Sequence, residues 1–166
     1  MAPTSYAIAL GANRRSGHGA PEATLIAALA AIGGVAHASP VIRSAPIGPS
    51  QRRYANMAAI IITTDPPPVL LARLKAIEAA FGRRPGQRWG ARVLDLDIIL
   101  WSGGTWAQRR LTVPHPAFRE RCFVLGPLAA IAGDWRDPVS GLCVRHLAAR
   151  ACARAPIAYG RRRVGP

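Results

Sequence analysis

The segment RWGARVLDLDIIL, from Arg88 to Leu100, sets two aspartates inside an apolar run. Its β-branched and aliphatic residues predict a buried strand of ordinary length. Because side chains alternate across a strand, Asp95 and Asp97 should share one face. The opposite face would carry Leu94, Leu96, Ile98 and Leu100. We therefore predict a strand with one face in the core and both carboxylates on the other.

Two carboxylates at this spacing can bind metal. Their Cα atoms lie roughly 6 to 7 Å apart, so their oxygens can converge on one or two cations. Mg²⁺ prefers carboxylate oxygens and keeps its remaining positions for water and substrate phosphates, which favours a nucleoside triphosphate as the ligand. A purely structural alternative is that both aspartates pair with nearby arginines on an exposed strand face.

Arginines form one group before the aspartates and another after them. The first group comprises Arg83, Arg84, Arg88 and Arg92, and the second comprises Arg109, Arg110, Arg119 and Arg121. A guanidinium group recognises phosphate through a planar fork of donors, so both groups could hold a polyphosphate against a bound metal. Neither G-x-x-x-x-G-K-[ST] nor G-x-G-x-x-G occurs in the chain. We therefore expect side chains, rather than a glycine-rich loop, to hold any nucleotide.

The size and composition favour a single globular domain. The chain has 166 residues, of which 50% are hydrophobic, which is enough to bury a sizeable core. We expect the domain to span residues 1–155 and the tail, residues 156–166, to be disordered. The longest uncharged apolar run, residues 23–36, is too short to cross a bilayer, and the N-terminus has no basic start before its apolar residues. We therefore predict a cytoplasmic protein, and we expect a monomer.

The chain is strongly basic, with a formal net charge of +14. A basic surface attracts phosphates whatever its shape, which would suit a nucleic acid or another polyanion. However, Lys75 is the only lysine among 22 basic residues, a skew typical of a coding bias spread over the surface. We therefore expect most of the arginines to be solvated.

The three cysteines, Cys122, Cys143 and Cys152, are odd in number and have no C-x-x-C spacing. This pattern argues against a disulfide framework and against a zinc site. We predict that all three are small buried apolar residues.

Apolar periodicity predicts the elements around the aspartate strand. We expect strands over residues 6–10, 35–43, 58–64 and 111–113, and helices over residues 21–32, 70–81, 124–131 and 144–153. The order strand, helix, strand, strand, helix, strand is typical of a ferredoxin-like α+β sandwich, in which helices pack on a mainly antiparallel sheet.

Four segments together resemble the hydroxymethyl-dihydropterin pyrophosphokinases of folate biosynthesis. They are YAIALGAN (6–13), IRSAPIGPSQRRYANMA (42–58), IEAAFGRRPGQRWGARVLDLDIIL (77–100) and LTVPHPAFRERCFVLGPLAAIA (111–132). The resemblance implies a ferredoxin-like fold, two Mg²⁺ ions and ATP as co-substrate. It also implies transfer of the pyrophosphoryl group of ATP to a pterin hydroxymethyl group, with release of AMP.

The resemblance further implies roles for individual residues. Asp95 and Asp97 would bind the metals, and Asp97 would also help to deprotonate the attacking hydroxyl. The catalytic arginines would be Arg83, Arg84 and Arg92, although Arg84 lies one residue earlier than the family pattern places its second arginine. The ATP-contacting positions would be Glu78, Trp89, Ile98, Arg110, Thr112, His115 and Arg121. The pterin pocket would comprise Ser44, Ala45, Tyr54, Asn56, Trp89 and Phe123.

Two other functions stay open. A nucleotidyltransferase also carries D-x-D on a strand, but that class generally has a Gly-Ser element close upstream, and none precedes Asp95. A basic nucleic-acid-binding module would explain the charge, but the arginines lack the interleaved aromatic residues that stack on bases. We expect neither nucleic acid nor membrane as a partner.

Overall fold

The computed structural model describes residues 2–44, 53–82 and 92–154. The elements in chain order are β1 (Thr4–Ala12), α1 (Pro21–Ile32), β2 (Val35–Ala38), β3 (Ile42–Ser44), β4 (Tyr54–Thr63), α2 (Pro67–Ala80), β5 (Asp95–Trp101), β6 (Trp106–Gln108), β7 (Leu111–Val113), a 3-10 turn (Phe118–Glu120), α3 (Cys122–Ala132) and α4 (Val144–Arg154). The predicted tail, residues 156–166, lies outside the described residues.

The strands form a mainly antiparallel sheet with helices packed on it, which confirms the predicted ferredoxin-like α+β class. Strand order is β2-β4-β1-β5, and β3 also pairs with β4. Every one of these pairings is antiparallel. Strands β6 and β7 form a separate two-stranded hairpin. None of the helices in the described part of the chain has the length and apolar character needed to cross a bilayer.

The strand predicted over residues 35–43 is in fact two short strands, β2 and β3. Pro40 lies between them and has no N–H to donate to a ladder. Ser39 bridges the break, because its N–H donates to the carbonyl of Ala58 and its hydroxyl accepts from the N–H of Ala58, both at 2.9 Å. The side chain thus replaces one ladder bond, and both strands stay attached to β4.

Each face of the sheet has its own hydrophobic core. Helices α1 and α2 cover one face, where Leu25, Leu70 and Leu74 pack with Leu96 and other buried residues. Helices α3 and α4 cover the other face with Leu125, Leu128, Val144 and Leu147, and Phe118 of the 3-10 turn joins the same core. Strands β1, β4 and β5 therefore lie between two helical layers, and the site must form where a layer leaves the sheet uncovered.

Strand β5 departs from strict alternation at Ile99. Opposite it on β1, Ile8 pairs with Ile98 but the next residue, Ala7, pairs with Leu100. Ile99 is thus an extra residue, a β-bulge, and Leu100 packs in the α3/α4 core rather than with Ile98. The prediction that Leu100 shares a face with Leu96 is therefore wrong, because a bulge leaves no signal in the apolar pattern.

The cysteine prediction is wrong for two of the three residues. Cys122 begins α3 and Cys152 lies in the last turn of α4, and a disulfide joins them with Cα atoms 4.9 Å apart. Cys143 is a free, buried thiol, as predicted. The count and spacing could not reveal this pair because 30 residues separate the two cysteines; the packing of α3 against α4 brings them together.

Candidate active site

A cleft of about 500 Å³ opens over the end of the sheet that α3 leaves uncovered. Its walls come from β1, β3, β4, β5 and the beginning of α3. The lining residues are Ala9, Leu10, Gly11, Ser44, Tyr54, Asn56, Met57, Arg92, Asp95, Asp97, Arg121, Phe123 and Val124. Eight of the predicted site residues are therefore brought together in one cavity of a size that suits small-molecule ligands: Ser44, Tyr54, Asn56, Arg92, Asp95, Asp97, Arg121 and Phe123.

Both aspartates face this cleft from β5, which confirms that they share a face. Asp97 pairs with Ala9 on β1, and Asp95 pairs with Gly11. Because Ala9 and Gly11 have small side chains or none, they leave space in the cleft beside the carboxylates. Gly11 also leaves room for the Asn56 amide, because a Cβ atom there would make a tight contact of 3.2 Å with Oδ1 of Asn56.

Arg92 forms an ion pair with the first aspartate. Its Nη1 donates to Oδ2 of Asp95 at 2.7 Å. The side chains are 32% and 23% exposed, respectively, so the pair is open to the cleft. A cation could therefore bind the Asp95 carboxylate from the cleft, and a phosphate group could bind the Arg92 guanidinium.

The local electrostatics favour a cation at the aspartate pair. Burial raises the pKa of Asp97, and the charge of Asp95 raises it further, while His115 and Lys75 oppose the increase. Burial likewise lowers the pKa of His115, although the charge of Asp97 opposes this shift. Two carboxylates that repel each other in a half-buried site gain stability when a divalent ion binds between them.

An amide and aromatic rings line the same cleft, with Tyr54 and Asn56 on β4, across β1 from the aspartates. Nδ2 of Asn56 donates to the hydroxyl of Ser44 at 2.7 Å, which orients the amide. Phe123, in the first turn of α3, lies beside Arg121, whose guanidinium carbon is 5.8 Å from the ring centroid. An oriented amide next to aromatic rings suits a flat heterocycle with donor and acceptor edges.

Five predicted site residues do not line the cleft. The side chain of Ile98 is buried in the α1/α2 core, on the opposite face from Asp97. Arg110 and Thr112 are exposed on the β6–β7 hairpin. The backbone N–H of His115 donates to the carbonyl of Ile99 at 3.0 Å and its Nδ1 accepts the N–H of Ala117 at 3.1 Å, so the residue lies beside β5, close enough for its charge to act on Asp97.

Glu78, the fifth, is 1% exposed. Its Oε1 accepts the backbone N–H of Leu96 at 2.7 Å and pairs with Lys75 at 3.0 Å. In the structure this carboxylate supports the strand that carries the aspartates. The predicted residues Ala45, Arg83, Arg84 and Trp89 lie outside the described residues.

Some cleft residues had no individual signal in the sequence. Ala9, Leu10, Met57 and Val124 read as ordinary strand or helix residues. Gly11 also has no individual signal, because a glycine at the end of an apolar run is as typical of a turn as of a binding cleft.

The donor set fits a divalent metal only in part. Within residues 2–44, 53–82 and 92–154, no group of three or more His, Cys, Asp or Glu side chains is arranged to hold a metal ion. Two carboxylates on one face are nevertheless the protein contribution that Mg²⁺ commonly receives when water and phosphate oxygens complete its shell. The residues present therefore fit Mg²⁺ delivered with a polyphosphate rather than a closed structural site.

Sequence comparison identifies relatives along most of the chain. The family described as 7,8-dihydro-6-hydroxymethylpterin-pyrophosphokinase (HPPK) matches residues 7–133. A 2-amino-4-hydroxy-6-hydroxymethyldihydropteridine pyrophosphokinase from Synechocystis is 45% identical over 124 residues, or 74% of this chain and 64% of that protein. The protein of the same name from Haemophilus influenzae is 41% identical over 137 residues, or 79% of this chain and 82% of that protein.

A further protein of that name, from Pseudomonas aeruginosa, is 46% identical over 101 residues, which are 60% of this chain and 62% of the relative. The matched part of this chain thus spans less than two thirds of the Synechocystis and Pseudomonas proteins.

Solved structures share the fold. Wild-type HPPK-DHPS of Plasmodium falciparum superposes with a TM-score of 0.69 at 13% identity, over 92% of this chain and 45% of that one. An HPPK-DHPS in complex with substrates gives a TM-score of 0.73 at 10% identity, over 93% and 45% of the two chains. The family match extends over well more than half of the sequence, and it includes the D-x-D strand and the beginning of α3. The chain therefore belongs to the 7,8-dihydro-6-hydroxymethylpterin-pyrophosphokinase family.

Proposed function

We propose that this protein transfers the pyrophosphoryl group of ATP to the hydroxymethyl group of 6-hydroxymethyl-7,8-dihydropterin and releases AMP, as a step of folate biosynthesis. One observation carries the proposal: the carboxylates of Asp95 and Asp97 share a cleft of about 500 Å³ with Asn56 and Phe123. A metal-binding end and a heterocycle-binding end in one cavity match a reaction between a nucleoside triphosphate and a pterin. The names of the relatives favour the same pair of substrates.

In this reaction the pterin hydroxyl oxygen attacks the β-phosphorus of ATP. A new oxygen–phosphorus bond forms, the bond between the β-phosphorus and the α,β-bridging oxygen breaks, and AMP leaves with that oxygen. The hydroxyl proton is released, and the resemblance assigns Asp97 to assist its removal. Such transfers depend mostly on positioning and on charge stabilisation, so the residues need to align the substrates rather than form a covalent intermediate.

Each wall of the cleft has a part in this alignment. Asp95 and Asp97 would hold Mg²⁺, two ions by the resemblance, and the metal would supply charge neutralisation for the triphosphate. Arg92 and Arg121 line the same cleft and would bind phosphate oxygens. Ser44, Tyr54, Asn56 and Phe123 would bind the pterin. The family pattern alone supports the other proposed roles: Arg83 and Arg84 would bind phosphate oxygens, Ala45 would line the pterin pocket, and Trp89 would contact both substrates.

Isotopic labelling tests the function directly. Purified protein is incubated with Mg²⁺, the pterin alcohol and ATP labelled at the α- or the γ-phosphate. We expect γ-label in the pterin product and α-label in free AMP. ADP as the product would contradict the proposal, and α-label on the pterin would indicate the rival nucleotidyltransferase.

The other rival, a non-catalytic nucleic-acid-binding module, would show no ATP turnover and a steep salt dependence of duplex binding. We further propose that the activity resides in residues 1–155 of a cytoplasmic monomer. Size-exclusion chromatography and an assay of a chain ending at residue 155 test these assignments.

A further inference from the structure

Asn13 makes two hydrogen bonds to the backbone of a single distant residue. Its side-chain Oδ1 accepts the N–H of Arg92 at 2.6 Å, and its own N–H donates to the carbonyl of Arg92 at 3.0 Å. Seventy-nine positions separate the two residues in sequence. Asn13 is only 3% exposed and does not line the cleft, so water has little access to its side of these bonds.

These bonds hold Arg92 beyond the last rung of the sheet. The ladder between β1 and β5 ends with Gly11 opposite Asp95. Arg92 precedes β5 by three residues and so lies beyond this ladder. Asn13 extends the contact between the two chain segments, and the amide oxygen replaces the backbone acceptor that a further strand residue would have supplied.

The backbone position of Arg92 decides where its charge lies. From this point its guanidinium reaches Oδ2 of Asp95 at 2.7 Å and enters the cleft. A long, flexible side chain keeps its charged group in one place only when the backbone from which it extends is fixed. Misplacement of a catalytic group by about 1 Å can lower the rate roughly 100-fold. The two hydrogen bonds from Asn13 fix both the N–H and the carbonyl of Arg92 and so hold its backbone at two points.

The segment that carries Asn13 is itself braced. Ser16 and Gly19 exchange two backbone hydrogen bonds of 3.0 Å, and the Ser16 hydroxyl lies 2.7 Å from that of Thr24 in α1. His18 of the same segment stacks on Phe81, with ring centroids 4.4 Å apart. The tether to Arg92 therefore starts from a segment attached to both α1 and the end of α2.

We propose that Asn13 is a positioning residue for Arg92, which sets the guanidinium against the triphosphate while making no contact with substrate itself. The inference rests on the proposed function, because it assigns Arg92 to the phosphates. Its distinguishing consequence is that the rate effect of changing Asn13 is transmitted by the Arg92 side chain and disappears when that side chain is absent.

A double-mutant cycle tests this dependence. Asn13→Ala removes the acceptor, and we expect kcat to fall about 10- to 100-fold, with the KM for the pterin changed less than about 3-fold. In an Arg92→Ala background the same change should lower kcat less than about 2-fold. Equal fold losses in both backgrounds would overturn the proposal, because they would show a general structural effect.

Two further variants guard against a folding defect. Asn13→Asp keeps an oxygen at the acceptor position and should recover at least a third of the lost rate on a logarithmic scale; a loss as large as that of Asn13→Ala would count against the proposal. Ser102→Ala is the matched control: its hydroxyl accepts the backbone N–H of Ser5 at 3.0 Å, at the end of the β1–β5 pair opposite to Arg92, and the kcat of this variant should stay within about 2-fold of the parent protein.

A measurement without substrate separates this inference from the proposed function. Amide hydrogen exchange of Arg92 should speed up at least 10-fold in Asn13→Ala and stay unchanged in Ser102→Ala, whether or not AMP is formed. Absence of AMP in the parent protein with this exchange pattern would refute the function alone. Normal AMP formation with unchanged Arg92 exchange in Asn13→Ala would refute the positioning role alone.

Discussion

The buried carboxylate of Glu78 accepts a hydrogen bond of 2.7 Å from the backbone N–H of Leu96, the residue between Asp95 and Asp97. Among the described residues strand β5 is at the edge of the sheet, and this N–H points away from β1 to the Glu78 carboxylate. Lys75 balances the charge by donating to both carboxylate oxygens, at 3.0 and 3.2 Å. Helix α2 thereby fixes the backbone between the two proposed metal ligands.

Replacing Glu78 by alanine should therefore destabilise the protein. We expect the free energy of unfolding to fall by about 2 to 4 kcal/mol, because the Leu96 N–H loses its buried acceptor and Lys75 loses its partner. Urea denaturation measures the change. Glu78→Gln keeps an acceptor for the Leu96 N–H, so its free energy of unfolding should fall clearly less than that of Glu78→Ala. As a control, alanine at the exposed Glu120 should change the free energy of unfolding by under about 0.5 kcal/mol. Equal losses for all three variants would contradict the role of Glu78.

Phe123 should affect the pterin and not the nucleotide. Its ring lines the cleft, and losing it removes both stacking and apolar contact. We expect Phe123→Ala to weaken pterin binding about 10- to 50-fold and to leave the affinity for an ATP analogue within about 2-fold. Isothermal titration with each ligand separately measures both values, and a parallel loss for the two ligands would argue against a distinct pterin end.

Acid should remove the contribution of Asp137 to stability. This residue is fully buried, and burial alone would raise its pKa. Hydrogen bonds from Arg119, Ser140 and Val139 outweigh that effect and lower the pKa to about 2 from an ordinary value of 3.8. Because the folded pKa lies below the unfolded one, the stabilisation is complete above about pH 4 and is lost as the pH falls towards 2.

The size of this effect is about 2 kcal/mol, since one pKa unit corresponds to about 1.4 kcal/mol. Asp137→Asn should lower the free energy of unfolding at pH 6, and the gap from the parent protein should narrow by about this amount between pH 4 and pH 2. Denaturation curves across that range measure it. A gap that is independent of pH would contradict the assigned shift.

The disulfide between Cys122 and Cys152 should stabilise the helical layer above the cleft. It closes a loop across 30 positions, and by chain-entropy arguments such a cross-link contributes about 3 to 4 kcal/mol. Non-reducing peptide mapping should find the linked pair in air-oxidised protein, and Cys152→Ser should lower stability by that order. Serine at the free Cys143 is the control for the bond, since it removes a thiol but no cross-link.

The sequence predicted the parts of the site that depend on local pattern. Alternation places Asp95 and Asp97 together because it is a property of any extended strand. It failed at Leu100, where a bulge at Ile99 reverses the faces. It also could not indicate the link between Asn13 and Arg92, since that contact arises only when β1 and β5 lie side by side.

The pterin residues were a different case. Ser44, Asn56 and Phe123 come from three separate elements, and nothing in their local pattern connects them. Only the family resemblance grouped them before the cleft did. The cysteine pair had neither kind of signal, because it depends on where α4 packs on α3.

The most direct test of the central claim is the metal dependence of nucleotide binding. Calorimetry with a non-hydrolysable ATP analogue should show an affinity at least 10-fold higher with Mg²⁺ than with EDTA. The Asp95→Asn and Asp97→Asn proteins should lose most of that difference while keeping the parent circular dichroism spectrum. Equal affinity of the parent protein with and without Mg²⁺ would contradict the assignment of the two aspartates as the metal site.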